Sequence, residues 1–307
     1  MKVFIDGAAG TTGLRIHERL AKRGDLSALT LPDDLRKDPA ARADCMNRAD
    51  VVFLCLPDAA AVEAVELIRN PETVVIDTST AHRTAEGWVY GFPEGNGQRE
   101  RIRRAKRIAN PGCHASGFVA LVAPLVRAGV LSADAALTCF SLTGYSGGGK
   151  KMIAEYEAAD RDPLLAAPRE YGLSQSHKHL PEMRVYGGLN AAPVFCPIVA
   201  PFYAGMEVTV PLFGKDAVGG VEAIRSVYRE TYRAGLIRYA EAADENGFLS
   251  AAAFAGRDDM QVTVAGNAER ILLIARFDNL GKGASGAAIQ NFNLAFGLPE
   301  ETGLCID

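Results

Sequence analysis

Hydrophobic residues in the first part of the chain form short apolar runs that alternate with helical patterns. Residues 2–6 are one such run, and residues 14–22 have helical character. The continuous apolar run Val51-Val52-Phe53-Leu54-Cys55-Leu56 fits a parallel strand that is buried on both faces. A helix over 59–69 and a strand over 73–77 follow it. This regular alternation predicts an α/β fold with a doubly wound parallel sheet.

The hydrophobic pattern changes after residue 112. Apolar or alternating runs predict the strands of a mixed or antiparallel sheet, at 135–143, 206–212, 260–264 and 270–277. A helix over 218–233 is predicted to cross this sheet, and a final helix is predicted from Gly281 to Phe296. We therefore predict a first domain over 1–112 that is completed by the C-terminal helix and tail, 281–307, and a second domain over 113–280.

A glycine-rich turn separates the first predicted strand from the first helix. The turn is Gly7-Ala8-Ala9-Gly10-Thr11-Thr12-Gly13, and strand–glycine turn–helix is the context of a Rossmann dinucleotide fingerprint. The spacing is G-x-x-G-x-x-G instead of G-x-G-x-x-G, and such turns also occur with a structural role alone. Gly10 would let the backbone approach a pyrophosphate, Gly13 would let the helix pack on the strand, and Thr11 and Thr12 could add hydroxyl donors.

The residues after the second predicted strand, 26–31, leave the choice of dinucleotide open. An acidic residue at this position binds the ribose 2′-hydroxyl of NAD, whereas a basic residue accommodates the 2′-phosphate of NADP. The sequence offers both, because Asp33 and Asp34 are followed by Arg36 and Lys37.

The run Asn110-Pro111-Gly112-Cys113-His114 is the strongest candidate for a reactive site. A helical pattern over 115–122 places Cys113 at a helix N-terminus, where free N–H groups stabilise a thiolate and can receive an oxyanion. The alternative is a buried, inert cysteine. Segments 77–80 and 110–113 both leave strands at the carboxyl edge of the sheet, so Cys113 is expected to lie near the cofactor.

A cysteine nucleophile needs a base that is distant in sequence and near in space. His177 and His179 alternate in Ser176-His177-Lys178-His179-Leu180-Pro181-Glu182. On an extended segment, residues at i and i+2 face the same side. We predict His179 as the base, with His177 in reserve; a zinc site is an alternative that lacks an evident third ligand.

Two further stretches are candidates for anion binding. Arg83 could make a bidentate contact with a carboxylate or phosphate, or form an exposed ion pair. The run Gly144-Tyr145-Ser146-Gly147-Gly148-Gly149-Lys150-Lys151 lacks Walker A spacing. It is either a flexible turn or a loop whose backbone amides bind an anion.

Composition and charge narrow the function classes. The chain has 307 residues, 48% of them hydrophobic and 23% charged, and its formal net charge is −4. These values give no electrostatic indication of a nucleic-acid or membrane partner. The chain begins directly with a strand, so no signal peptide is expected, and no apolar run reaches a membrane span. The six cysteines form no CxxC pair and have no metal-ligand spacing, which predicts a cytoplasmic protein without a metal.

Several runs together resemble N-acetyl-γ-glutamyl-phosphate reductase of the shorter type (type 2). They occur in the family's order over nearly the whole chain, and the combination of the cysteine, Tyr-Ser-Gly and His-Lys-His-x-Pro-Glu runs is specific. The matching runs are Gly7–Gly13, Asp77–Arg83, Tyr90-Gly91-Phe92-Pro93-Glu94, Asn110–Cys113, Gly144–Lys150, His177–Glu182 and Gly283-Ala284-Ser285-Gly286.

The resemblance implies an NADP(H)-dependent oxidoreductase of arginine biosynthesis. The enzyme would reduce N-acetyl-glutamyl 5-phosphate to N-acetyl-glutamate 5-semialdehyde and release phosphate. The fold would be a Rossmann domain plus an α+β domain like that of glyceraldehyde-3-phosphate dehydrogenase. Cys113 would be the nucleophile that forms a thioester, and His179 the acid/base.

The remaining predicted contacts fall into two groups. Substrate contacts are predicted at Arg83, Ser146, Lys150, His177 and Glu182. Cofactor contacts are predicted at Gly7, Gly10, Thr11, Thr12, Gly13, Arg36, Ser79, Asn279, Gly281 and Gly283. A homo-oligomer, dimer or tetramer, is also expected, with the apolar strands of the second domain pairing face to face.

Three alternative functions stay open at this point. Aspartate-semialdehyde dehydrogenase, or another acyl-phosphate reductase of the same fold, shares the cysteine chemistry and differs in the substrate pocket. A carrier-protein-linked reductase would need a basic surface, for which the charge balance gives little support. A non-catalytic dinucleotide sensor would explain the glycines but would give Cys113 and the histidine pair no role.

Overall fold

The computed structural model describes residues 1–8 and 10–306 of the chain. Ala9, in the predicted glycine turn, and Asp307, in the predicted C-terminal part of the first domain, lie outside the described residues. The chain divides into two compact units. The first comprises Met1–Pro111 and Ala284–Leu304, and the second comprises Gly112–Gly283 with the described residues after Leu304. The first boundary thus falls before Gly112 instead of after it, and the second falls at Ala284 instead of Gly281.

The strands are numbered here in chain order. They are β1 (Lys2–Asp6), β2 (Ser27–Leu29), β3 (Val51–Leu54), β4 (Val74–Asp77), β5 (Val89–Tyr90), β6 (Arg107–Ala109), β7 (Thr138–Gly144), β8 (Arg169–Glu170), β9 (Val194–Ala200), β10 (Met206–Phe213), β11 (Ile237–Tyr239), β12 (Met260–Gly266) and β13 (Arg270–Phe277).

The α-helices follow the same convention. They are α1 (Thr11–Ala21), α2 (Pro39–Arg48), α3 (Asp58–Leu67), α4 (Gln98–Arg104), α5 (Cys113–Arg127), α6 (Gly149–Glu157), α7 (Leu180–Gly187), α8 (Gly220–Thr231) and α9 (Gly286–Ala295). A π-helical turn, Gly281–Ser285, precedes α9.

The first unit contains a six-stranded sheet in the order β2-β1-β3-β4-β6-β5. Every neighbouring pair in this sheet is parallel. Alternate residues of β3 enter two separate cores, since Phe53 packs with Phe292 of α9 on one face and Val52 packs with Met46 of α2 on the other. The sheet is therefore covered on both faces, which confirms the predicted doubly wound α/β fold.

The second unit contains a seven-stranded mixed sheet in the order β11-β12-β13-β10-β7-β9-β8. Helix α5 lies against its centre, and a Cβ on Gly117 would come within 2.5 Å of Val208 and 2.9 Å of Phe277. The absence of a side chain at Gly117 therefore lets α5 approach β10 and β13 closely. This contact fixes the position of Cys113, the first residue of the helix.

One expectation about local structure needs correction. The run Gly144–Lys151 was expected to be a turn or loop, but Tyr145–Gly148 forms a 3-10 helix and α6 begins at Gly149. The hydrophobic pattern makes no prediction for residues 39–48. They form α2, because Pro39 occupies its first position and the Asp38 side chain accepts a hydrogen bond from the Ala41 N–H at 2.7 Å.

Within the described residues, no helix is both long enough and apolar enough to cross a membrane.

Candidate active site

Cys113 begins α5 directly after a turn that ends the preceding strand. Gly112 is the N-cap residue, with an extended backbone (φ −79°, ψ 147°), and no side chain caps the helix. The thiol group is half-buried. The structure thus confirms that Cys113 lies at a helix N-terminus, where the positive end of the helix dipole favours a thiolate.

Glu182 connects the start of α5 to α7. The side chain is buried, and its Oε2 accepts a hydrogen bond from the Gly112 N–H at 3.1 Å. Its Oε1 lies 3.8 Å from Nε2 of His179. A buried carboxylate at this distance stabilises a positive charge on the imidazole. The carboxylate therefore ties the thiol-bearing turn to the predicted base.

His177 and His179 do not lie on an extended segment, as the sequence spacing had suggested. The Leu180 N–H donates to the His177 carbonyl at 3.0 Å, so the two residues form a turn, and His179 has helical backbone angles as the N-cap residue of α7. The turn still brings their rings together, with centroids 4.8 Å apart. The prediction of an extended segment was wrong because Pro181 and Glu182 start a helix at this point.

His114 lies at the centre of this group. Its ring centroid is 5.3 Å from that of His179 and 5.9 Å from that of His177. Its Nδ1 is 2.6 Å from Ser141 Oγ, and its Nε2 is 2.7 Å from Tyr171 Oη. Burial, and secondarily the charge of His177, lower the pKa of His114 to about 3. The imidazole is therefore neutral at physiological pH.

Sequence reasoning did not identify Tyr171 and Ser141 as members of this group. Tyr171 is brought in by its N–H, which donates to the Pro197 carbonyl on β9 at 3.0 Å. Burial, and secondarily the charge of Cys113, raise the pKa of Tyr171, so the side chain stays protonated. The one available signal was the alternation along β7, which places Ser141 with Cys139 on its buried face.

Three of the predicted contact residues belong to the second unit: Ser146, Lys150 and Asn279. Ser146 is buried and accepts a hydrogen bond from Asn279 Nδ2 at 3.0 Å, while Asn279 Oδ1 accepts one from the Gly205 N–H at 2.9 Å. Lys150 is exposed in the first turn of α6. Asn279, which was predicted to contact the cofactor, thus holds Ser146 and the Gly205 backbone in place.

Gly281 and Gly283, also predicted as cofactor contacts, have local packing roles in the second unit. A Cβ at Gly281 would collide with the Arg257 carbonyl oxygen. A Cβ at Gly283 would come within 2.8 Å of the Cys113 Cβ. Gly283 therefore allows its backbone to lie directly against the candidate nucleophile.

Arg83 belongs to the first unit and is buried. Its Nε donates to the Asn110 carbonyl at 3.0 Å, and its Nη2 donates to the Thr78 carbonyl at 3.2 Å. The alternative of an exposed ion pair is therefore wrong. Nearby, the Ser79 hydroxyl donates to Asp77 at 2.7 Å, and Nδ1 of His82 lies 2.6 Å from the same carboxylate. These bonds order the segments that follow β4 and β6.

The glycine turn of the first unit has the geometry that close packing requires. Gly7 has φ +85°, and a Cβ there would collide with the Cys55 carbonyl oxygen. A Cβ at Gly13 would lie 2.5 Å from the Gly7 carbonyl oxygen, and Gly10 is the N-cap residue of α1. Thr11 Oγ1 is buried and has no hydrogen-bond partner among the described residues, and Thr12 follows it in the helix. An exogenous acceptor at this helix start would satisfy the Thr11 hydroxyl.

A cavity of about 430 Å³ opens in the first unit beside this turn. Arg36, Lys37 and Arg42 line it, together with backbone and side chains of β1 and β2. Arg42 is held by Asp6, with Nη2 2.7 Å from Oδ2. Arg36 also pairs with Asp33 at 2.7 Å on the exposed side. The cavity therefore has a cationic lining, which fits a ligand that carries phosphate.

In residues 1–8 and 10–306, no group of three or more His, Cys, Asp or Glu side chains is arranged to hold a metal ion.

Fold and sites together define a class of protein: a two-unit α/β oxidoreductase with a dinucleotide-type parallel sheet and a thiol at a helix start. Residues 2–105 match the family model described as semialdehyde dehydrogenase, NAD binding domain. Residues 113–279 match the model described as semialdehyde dehydrogenase, dimerisation domain. The chain belongs to the semialdehyde dehydrogenase family.

Curated relatives match the chain over almost its whole length. N-acetyl-gamma-glutamyl-phosphate reductase 2 of Nostoc sp. is 44% identical, and the match covers 99% of each chain. The N-acetyl-gamma-glutamyl-phosphate reductase of Burkholderia lata is 46% identical over 96% of each chain. That of Chelativorans sp. is 47% identical over 95% of this chain and 97% of the relative.

Solved structures share the fold at low sequence identity. Aspartate semialdehyde dehydrogenase II from Vibrio cholerae, complexed with ASA, has a TM-score of 0.69 and 16% identity, covering 96% of this chain and 98% of that chain. Aspartate semialdehyde dehydrogenase with NADP from Candida albicans has a TM-score of 0.66 and 16% identity, covering 96% and 99%. These similarities confirm the fold class of both units.

The neutral, buried state of His114 predicts a specific pH dependence of stability. Its folded pKa of about 3 lies below the unfolded value of ~6.5, so the unfolded chain binds the proton more readily. The contribution of His114 is complete above pH ~6.5 and is lost as the pH falls toward 3. Between pH 7 and 4.5 the wild type should lose about 2–3 kcal/mol more than His114→Gln, measured by urea unfolding.

His17→Gln is the matched control, because His17 is exposed on α1. This variant should lose as much stability as the wild type over the same pH range. Equal losses for the wild type and His114→Gln would show that the His114 imidazole is not held neutral.

Proposed function

We propose that the protein is an N-acetyl-gamma-glutamyl-phosphate reductase of arginine biosynthesis. It reduces N-acetyl-glutamyl 5-phosphate to N-acetyl-glutamate 5-semialdehyde and releases phosphate. The observation that carries this proposal is the half-buried Cys113 at the start of α5, with Glu182 bound to the adjacent Gly112 N–H and His179 beside Glu182. The names of the near-full-length relatives support the choice of substrate.

Acyl transfer to Cys113 is the first chemical step. The thiolate attacks the carbonyl carbon of the acyl phosphate, and the resulting oxyanion is stabilised by N–H groups at the start of α5. The C–O bond to phosphate then breaks, phosphate leaves with its electron pair, and a thioester remains on Cys113.

Reduction of the thioester gives the aldehyde. The chemistry that a reduced nicotinamide dinucleotide would supply when bound is a hydride for the thioester carbon on Cys113. The oxyanion takes a proton to give a thiohemiacetal; in this proposal His179 provides that proton and accepts it back as the C–S bond breaks and the Cys113 thiolate leaves. Glu182 stabilises the imidazolium form of His179 across 3.8 Å. A positioned acid/base of this kind contributes roughly 10²–10⁴-fold in rate.

The dinucleotide is held by the first unit, and NADP(H) fits it better than NAD(H). The start of α1, with Gly7, Gly10 and Gly13 behind it and the hydroxyls of Thr11 and Thr12, would receive the pyrophosphate. Arg36 and Lys37 in the cavity lining would contact the 2′-phosphate. The predicted contacts of Ser79, Asn279, Gly281 and Gly283 with the cofactor stay predictions.

Substrate contacts are proposed at polar groups of the second unit, and the contact of Arg83 in the first unit stays a prediction. The His177 ring lies beside that of His114, and Glu182 accepts a hydrogen bond from the Gly112 N–H. In the same unit, Ser146 is buried and Lys150 is exposed. Arg83 donates hydrogen bonds to two backbone carbonyls. An alanine variant of Arg83 therefore removes these bonds to the backbone as well as the predicted substrate contact. The KM for the acyl phosphate in alanine variants is the test, and an unchanged KM removes that residue from the set.

A homo-oligomer is also proposed, with the outer face of the mixed sheet as the interface. Phe140 alternates on β7 with Ser141, which contacts His114 of α5, so Phe140 points away from α5. Val194 on β9 and Leu272 on β13 are also exposed. The family model for this region is described as a dimerisation domain. The predicted cytoplasmic location stays a prediction.

The reaction is tested most simply in reverse. Wild-type protein should reduce NADP⁺ with N-acetyl-glutamate semialdehyde only when phosphate is present, and Cys113→Ser should abolish the reaction because the thioester cannot form. The measurement is absorbance at the wavelength of NADPH. Activity with aspartate semialdehyde and none with the N-acetylated substrate would contradict the assignment.

Cofactor preference is tested by the double variant Arg36→Ala/Lys37→Ala. The loss of charge-assisted contacts to the 2′-phosphate should raise the KM for NADP⁺ by roughly tenfold or more and leave the KM for NAD⁺ nearly unchanged. Arg48→Ala is the control, since Arg48 is an exposed residue of α2 that pairs with Asp44. Equal effects on both dinucleotides would overturn the assignment of these residues.

The interface is tested by Phe140→Glu, because Phe140 is 45% exposed on the sheet face that points away from α5. A buried carboxylate in the interface should convert the oligomer to a monomer in analytical ultracentrifugation. Phe248→Glu is the control, since Phe248 is 77% exposed and lies outside the sheet. A monomeric wild type, or an oligomer that survives the Phe140 change, would count against this interface.

A further inference from the structure

Thr30 lies at the carboxyl end of β2 and lines the cavity of the first unit. Strand β2 ends at Leu29, which is paired in parallel with Phe4 of β1. Because the carboxyl ends of parallel strands meet at the same edge of a sheet, Thr30 leaves the sheet where the glycine turn leaves β1. Thr30 is exposed, so a ligand in the cavity can reach it.

The end of the second strand is the position that separates NAD from NADP in sheets of this kind. An Asp or Glu at this position accepts a hydrogen bond from the ribose 2′-hydroxyl of NAD. The same negative charge repels the 2′-phosphate of NADP. Thr30 occupies this position without a charge, and its hydroxyl can donate a hydrogen bond to a phosphate oxygen.

The two acids that follow β2 do not supply the missing charge. In the part of the chain that the structure describes, neither Asp33 nor Asp34 belongs to the lining of the cavity, whereas Arg36 does. Asp33 pairs with Arg36 at 2.7 Å, but both side chains are exposed. An exposed ion pair is weak, so Arg36 can exchange Asp33 for a phosphate.

One acid does line the cavity, and a cation is bound to it. Asp6 is the last residue of β1, and its Oδ2 accepts hydrogen bonds from Arg42 Nη2 at 2.7 Å and Arg42 Nε at 3.2 Å. Both side chains are largely buried, so solvent screens this pair much less than a surface pair. Arg42 therefore neutralises the negative charge of Asp6 beside the cavity.

We propose that Thr30 is the specificity-determining residue for the 2′-phosphate of NADP(H), and that Arg42 supports this selection by neutralising Asp6. The identity of the cofactor rests on the proposed function. The cavity offers a 2′-phosphate a neutral hydroxyl and the cations of Arg36 and Lys37. It offers the 2′-hydroxyl of NAD(H) no carboxylate that is free of a cation.

The direct test is Thr30→Asp in the full-length protein, with binding measured by isothermal titration calorimetry. The ligands are 2′,5′-ADP and 5′-AMP, which differ only in the 2′-phosphate. The wild type should bind 2′,5′-ADP roughly tenfold or more tightly than 5′-AMP. Thr30→Asp should reduce this affinity ratio by roughly tenfold or more, because its carboxylate repels the phosphate and accepts a hydrogen bond from the hydroxyl.

Two control variants isolate the effect of the charge at this position. Thr30→Asn has the shape of Thr30→Asp without the charge, and it should keep the ratio within about threefold of the wild type. Ser27→Asp adds the same charge to an exposed residue of β2 outside the cavity lining, and it should not change the ratio. A wild type without preference, a normal ratio in Thr30→Asp, or an equal loss in Thr30→Asn would overturn the assignment of Thr30.

The supporting role of Arg42 is tested by a pair of variants at pH 8. Arg42→Gln leaves the Asp6 carboxylate without its cation, so the ratio should fall by roughly tenfold. Asp6→Asn/Arg42→Gln removes both charges and should restore the ratio to nearly the wild-type value. A double variant that stays as weak as Arg42→Gln would show that Arg42 binds the phosphate itself and would overturn its supporting role. If the Arg42 variants do not fold, the variants of the exposed Thr30 still decide the main assignment.

These measurements need neither the acyl substrate nor turnover. Selective binding of 2′,5′-ADP without reduction of N-acetyl-glutamyl phosphate would reject the proposed reaction and keep the selection by Thr30. Turnover with both dinucleotides and equal affinity for the two fragments would keep the reaction and overturn the selection.

Discussion

The start of α5 depends on one buried carboxylate. Glu182 accepts the hydrogen bond of the Gly112 N–H at 3.1 Å and also lies 3.8 Å from the His179 imidazole. The same side chain thus satisfies a backbone donor next to the thiol and balances charge on the base. Without it, a buried N–H would lose its acceptor and His179 would lose its negative neighbour. The geometry of the thiol, the base and the helix dipole is coupled through this group.

The histidines around Cys113 have different electrostatic roles. His114 is held neutral by burial and works as a hydrogen-bonding spacer between Ser141 and Tyr171. His179 faces a carboxylate and can carry charge. Because His114 carries no charge, the imidazolium form of His179 avoids repulsion from a ring whose centroid is 5.3 Å away. The two imidazoles therefore meet different environments: His179 faces a carboxylate, whereas His114 is buried between two hydroxyl groups.

Local sequence patterns predicted the helix start and the buried strand, because both depend on residues that are close together in the sequence. The Pro111-Gly112 turn and the apolar run after it located the N-terminus of α5, and the run Val51–Leu54 identified a strand buried on both faces. The shape of the His177–His179 segment could not be read from spacing alone, because the start of α7 two residues later bends it into a turn. Periodicity is a weak guide where a helix start and an extended segment compete.

Tertiary contacts account for what the sequence could not reveal. Tyr171 reaches His114 through the pairing of its backbone with β9, a contact between distant parts of the chain. A glycine is similarly required at position 283 because its backbone lies close to Cys113. In the first unit, the sequence could not show whether the acidic pair Asp33–Asp34 or the basic pair Arg36–Lys37 faces the predicted dinucleotide site. In the structure the basic pair lines the cavity.

The central claim is that Cys113 carries the acyl group during the reaction, and trapping that intermediate tests it most directly. Protein mixed with N-acetyl-glutamyl phosphate, without reduced dinucleotide, is quenched in acid and analysed by peptide mass spectrometry. The account predicts an N-acetyl-glutamyl adduct on the Cys113 peptide of the folded wild type, and none on that peptide in Cys113→Ser or in denatured protein. Phosphate release without an adduct, or an adduct confined to another residue, would contradict it.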